Sequence, residues 1–176
     1  MKNSAKITVC AISAALAAMF MLTSYFPYLT LAIPGIAGLF MLMPLVEIGV
    51  GYAFLAYGVS AGIVLISAEP EAACIYVFFL GYYPILKSLI EKLKSRVLEW
   101  ILKIAILNLA IFAVYMVTTF VFRISIDDLG ELGKYGAYIF VATCNIVFVA
   151  YDFAVSRMGQ LYMIKIHPLV RKIGKY

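Results

Sequence analysis

Charge is what this chain has least of. Asp, Glu, Lys and Arg make up 13% of its 176 residues, about half the share of an ordinary soluble domain. With 65% of residues apolar, there is too little polar surface to wrap a core in water, so a large soluble catalytic domain and a disordered chain are both excluded. Cysteine is scarce as well. Cys10, Cys74 and Cys144 are odd in number and widely spaced, which excludes a disulfide-stapled secreted fold and leaves them as core residues. One histidine, His167, provides no converging metal ligands. The chain has no Gly-x-x-x-x-Gly-Lys-Ser/Thr loop, no His-Glu-x-x-His and no Gly-x-Ser-x-Gly. It therefore lacks the usual device for hydrolysing a nucleotide, and a hydrolase would lack its paired catalytic groups.

What is present is apolar sequence in lengths that fit a bilayer. Apolar runs predict spans at about 7–25, 30–46, 50–67, 72–86, 101–122 and 137–156, separated by Pro27, by Glu47 to Gly51, by Glu69-Pro70-Glu71 and by two longer polar stretches. Residues 87–100 alternate apolar and charged positions and predict an amphipathic helix on the membrane surface, with Lys87 snorkelling from the end of the fourth span. A cleavable leader is the competing reading of the first apolar run, but its removal leaves an odd number of spans that conflicts with the charges.

Those charges orient the chain. With the amino terminus inside, the inner side carries twelve of the fourteen basic residues and four acidic ones, a net +8, while the outer side carries Arg123, Lys134 and five acids, a net −3. The positive-inside rule then explains the overall charge of +5 better than nucleic-acid binding does. The expected fold is an all-α bundle of six transmembrane helices, a single membrane domain over 1–176 with both termini cytoplasmic. The outer acids Asp127, Asp128 and Glu131 lack the alternating ligands of a calcium loop and predict solvated sequence.

Small residues come next. Ala11, Ala14, Ala15 and Ala18 share one face of the first helix, a smooth strip on which another helix can lie closely, either within the bundle or from a partner. Gly58 and Gly62 form a second such device in the third span and are expected to face inward. In length, span number, orientation and the Ala-x-x-x-Ala repeat of Ala11 with Ala15 and Ala14 with Ala18, the chain resembles the substrate-binding S components of energy-coupling-factor transporters. The resemblance implies capture of a vitamin-like small solute from outside, with no cofactor. It also implies docking of Ala11, Ala14, Ala15 and Ala18 on a shared transmembrane subunit energised by two cytoplasmic ATPases.

Polar residues inside spans face cavities or other helices. Asn108, Tyr115, Thr119 and Arg123 share one face of the fifth span; Tyr138, Asn145 and Asp152 recur every seven residues on the sixth. In an antiparallel pair, positions of equal depth have numbers of constant sum, and both Asn108 with Asp152 and Tyr115 with Asn145 add to 260. That register predicts a structural bond between Asn108 and Asp152 and an outward pocket around Tyr115, Thr119, Arg123 and Asn145. Tyr25, Tyr28 and Tyr76 are placed at its mouth, where tyrosines also serve as interface anchors. Arg123 either snorkels or attracts an anionic group of the solute. A solute-capture subunit is the first reading; a membrane scaffold that uses the same strip only to bind partners is the second, and an enzyme the third.

Overall fold

The computed structural model describes residues 3–26, 29–30, 32–93, 95–120, 136–168 and 170. Its elements are α1 (Asn3–Met21), followed by a 3₁₀ turn over Leu22–Tyr25, α2 (Ala32–Leu39), α3 (Leu42–Glu47), α4 (Val50–Ser67), α5 (Pro70–Ile75), α6 (Tyr83–Ile90), α7 (Arg96–Phe120) and α8 (Gly136–Leu161). Two π-helical stretches, Tyr76–Leu80 and Tyr162–Ile166, continue α5 and α8. The described residues contain no strand, and the chain is an all-α polytopic bundle. Five helical segments are long and apolar enough to cross a membrane, while the second, Ala32–Glu47, is shorter and broken.

The break has a covalent cause. Pro44 has no N–H, and its ring crowds the carbonyl four residues back, at Phe40. The chain there tightens to three-residue turns, Met41 N–H bonding Gly38 O at 3.0 Å and Met43 N–H bonding Phe40 O at 3.2 Å. The link to α4 follows at Gly49, whose φ of +127° suits a residue without a Cβ.

The amphipathic surface helix expected over residues 87–100 is not formed. Lys87 to Ile90 complete α6, a turn follows, and α7 already begins at Arg96. The reason is electrostatic: the ammonium groups of Lys87 and Lys103 turn inward to a shared partner, so the residues flanking the turn extend the spans themselves.

Helices α1 and α4 run parallel. The Cys10 thiol donates to Tyr52 O at 3.5 Å and the Tyr25 hydroxyl to Ser67 O at 3.4 Å, the same separation of 42 positions at both ends. First and third spans of an up-and-down bundle must run this way. Small side chains let them approach, with Ala14, Ala17 and Ala18 of α1 buried beside Ala53, Ala56, Ser60 and Ala61 of α4. A side chain at Gly38 of α2 would collide with the backbone carbonyl of Leu80, so the broken second span lies directly against the π stretch of the fourth.

A π stretch leaves carbonyls without their usual helical donors, and in a bilayer no water replaces them. Tyrosines do so here. Tyr57 donates to Val77 O at 2.5 Å and Tyr82 to Phe78 O at 2.7 Å, while Gly81 N–H bonds Tyr76 O at 2.8 Å. Tyr57→Phe keeps the ring and removes one of these donors; its thermal unfolding in detergent is expected to show a loss of about 1 kcal/mol. An unchanged transition would mean that Val77 O finds another donor.

Polar contacts collect at the two ends. At one, Thr30 Oγ1 donates to Glu69 Oε2 at 3.2 Å and Glu69 N–H to Ser24 Oγ at 3.3 Å, tying the first and third interhelical links together. At the other, here the basic end, Glu47 Oε1 meets the Tyr162 hydroxyl at 3.1 Å and His167 Nδ1 at 3.0 Å, which fastens the end of α3 to the continuation of α8.

Candidate functional site

Among the described residues, two polar side-chain constellations lie between α6, α7 and α8. The larger joins spans four, five and six in their basic halves. Asp152 of α8, 5% exposed, accepts the Tyr83 hydroxyl on Oδ1 at 2.5 Å and pairs with Lys87, whose ammonium also bonds the Asp152 carbonyl at 2.9 Å. From α7, Lys103 reaches Oδ1 at 3.1 Å and Oδ2 at 3.2 Å. Lys103 is also held by Glu99 at 2.7 Å and by Glu91 at 3.5 Å, and its ammonium stands 5.4 Å from the centre of the Trp100 ring. Lys87 and Lys103 are 3% and 1% exposed. Charges so placed are tolerated only when paired, and Asp152 is the one carboxylate that both lysines share inside the bundle.

Helix geometry makes this convergence. Tyr83, Lys87 and Glu91 are four residues apart on one stripe, as are Glu99 and Lys103, so each flank of the turn presents its charges along one line. Tyr83 is not among the residues the sequence singles out, Lys87 is expected there to snorkel, and Lys103 counts only towards the inner charge. The signal available was that four-residue alternation of sign.

The smaller constellation is an amide pair. Asn108 Nδ2 donates to Asn145 Oδ1 at 3.3 Å, and Asn145 Nδ2 to Asn108 Oδ1 at 3.4 Å. Each amide also donates to its own helix, to Ile104 O and Val141 O, both at 2.8 Å. Asn108 therefore does not pair with Asp152. The pairs of α7 with α8, Asn108 with Asn145 and Lys103 with Asp152, lie seven and five residues from the expected register, which would have set Lys103 opposite Arg157. Like charges would have met there; the actual register supplies Lys103 with a carboxylate and each amide with an amide.

The other expected site residues scatter. Tyr76 is fully buried, its hydroxyl 2.8 Å from Ser60 Oγ and its ring 6.1 Å from that of Tyr57. Tyr115 is 47% exposed on α7. The Thr119 and Tyr138 side chains lie outside the described residues, as do Tyr28, Arg123 and the acids Asp127, Asp128 and Glu131. The alanine strip is divided. Ala14 and Ala18 are 2% and 7% exposed, packed inside the bundle, while Ala11 and Ala15 are exposed. Gly58 and Gly62, expected inside, instead face outward, with nothing within 4 Å of where a Cβ would stand. All faces of these helices are apolar, so fit against the neighbour and not polarity chose which face turned inward.

Among the described residues no group of three or more His, Cys, Asp and Glu side chains is placed to hold a metal ion. The fold and its buried charges define a polytopic membrane protein in which spans four to six are joined by a buried ion cluster. No protein family, no curated protein and no solved structure matches the chain.

Proposed function

We propose that this protein captures a small solute at the outer side of a prokaryotic plasma membrane, as the S component of an energy-coupling-factor importer does. It acts as a binding subunit and not as an enzyme, and it relies on a shared transmembrane subunit and two cytoplasmic ATPases for energy. The observation that carries this reading is the Asn108–Asn145 pair. It sits between the two least buried spans: 17% of the apolar stretch is buried in each, against 39% in the first span and 56% in the fourth. Its interhelical bonds of 3.3 and 3.4 Å are longer than the 2.8 Å bonds the same amides make to their own helices, so a solute with donors and acceptors can replace them at small cost. Ala11 and Ala15, exposed on α1, remain as the part of the strip that a partner helix can meet.

A scaffold that binds partners without transporting is favoured by one observation. Tyr76, expected at the mouth, is buried and bonded to Ser60 at 2.8 Å, which is packing and not lining.

The test is purification of the whole protein in mild detergent, with mass spectrometry of co-purifying small molecules and proteins. A bound solute is expected, reduced about tenfold in Asn145→Leu, the effect of losing about 1.4 kcal/mol of polar contact. Equal occupancy in that variant removes the amide pair from the site. Partners recovered without ATPases and without solute would favour the scaffold.

A further inference from the structure

The ion cluster offers binding chemistry of its own, independent of the solute reading. The ammonium groups of Lys87 and Lys103 also converge on a carboxylate nearer the surface: Glu91 Oε1 lies 3.2 Å from the first and 3.5 Å from the second. The lysine side chains are 4% and 1% exposed, whereas the Glu91 side chain is 44% exposed. Asp152 neutralises one of the two cations from within, and Glu99 shares in holding Lys103. Glu91 is thus a peripheral and displaceable counterion. It follows the last turn of α6, where the chain leaves the apolar span.

We infer that Lys87 and Lys103 form a binding site for a phosphate group, occupied in the free protein by the chain's own Glu91 carboxylate. The surroundings favour an anion. Between Lys87 and Lys103 the sequence carries five basic residues and two acidic ones, and counting Asp152 still leaves a net +2. Lys92 and Arg96 are exposed on the turn beside the site. Glu91 and Glu99 are the groups an incoming anion must face. Glu91 swings into water when displaced, and Glu99 stays with Lys103 at 2.7 Å. Basic recesses between transmembrane helices near the cytoplasmic face take phospholipid headgroups in this way, and the bond gains strength from its partly dry setting.

The experiment uses the full chain in nanodiscs of phosphatidylcholine with a minor share of phosphatidylglycerol, and in a parallel arm inorganic phosphate added to protein in phosphatidylcholine alone. Binding is compared for the wild type, for Glu91→Gln, which removes the internal competitor, and for Glu47→Gln, which makes the same charge change elsewhere at the basic end. Glu91→Gln is expected to hold phosphatidylglycerol about fivefold more tightly than the wild type, the factor of one unit charge near an anionic surface. Glu47→Gln is expected to leave the affinity unchanged. The same gain with inorganic phosphate, and none with the lipid, keeps the phosphate site and assigns it to a soluble anion. Equal gains in both variants, or no gain in Glu91→Gln with either probe, overturn the inference.

Discussion

Asp152→Asn is expected to unfold the basic half of spans four to six, at a cost of about 3–5 kcal/mol. The amide preserves the shape of the side chain and can still bond Tyr83, but it removes the charge that both Lys87 and Lys103 share inside the bundle. Lys103 keeps Glu99 at 2.7 Å, and Lys87 is left with the half-exposed Glu91 at 3.2 Å. Size-exclusion chromatography and thermal unfolding in detergent measure the loss. Combining Asp152→Asn with Lys87→Met removes the uncompensated cation as well, and the double variant is expected to recover part of the stability through a coupling of about 1–3 kcal/mol. A native melting profile for Asp152→Asn alone would show that water enters the cluster and screens its charges.

The second large effect concerns a glycine. A Cβ on Gly38 would strike the carbonyl of Leu80, and the obstacle is backbone on another span, not a side chain that can rotate away. Gly38→Ala is therefore expected to push the broken second span off the fourth, costing about 3 kcal/mol, the upper part of the range for overpacked sites. It would also disturb the Tyr151 hydroxyl, which lies 3.2 Å from the same point and donates to Gly35 O at 3.3 Å. Gly58→Ala is the matched control. Nothing stands within 4 Å of its Cβ position, so the same change on α4 is expected to leave stability within about 0.5 kcal/mol or raise it slightly. Equal melting temperatures for the two variants would contradict the close approach of α2 to the π stretch.

Particular residues show how far the sequence could be read. Glu47 to Gly49 and Glu69-Pro70 mark where helices stop or start, because proline and glycine act on their own backbone and a charge must reach water wherever the chain goes. The stripes of α7 and α8 were legible as stripes, since a helix fixes which residues share a face. Their partners were not. The stripes alone set Asn145 beside Tyr115, whereas it lies beside Asn108, because a polar stripe repeating every seven residues offers several registers, and only the need of Lys103 for Asp152 selects among them. The alanine strip is divided for a related reason. Ala14 and Ala15 are neighbours in sequence and identical chemically, yet one is buried in the bundle and the other exposed.

By itself the sequence determined the all-α apolar bundle and the positions of the breaks between its helices. Each follows from composition or from local covalent chemistry: apolar length and the missing N–H of proline. The tertiary structure decided which face of each span turns inward, how far α7 slides along α8, and that Lys87 and Lys103 point to a buried carboxylate and not to water. In a soluble protein the polar face of a helix would have announced much of this. In lipid that asymmetry is absent, so steric fit between small residues and the pairing of ions 49 and 65 positions apart in the chain settle what periodicity cannot.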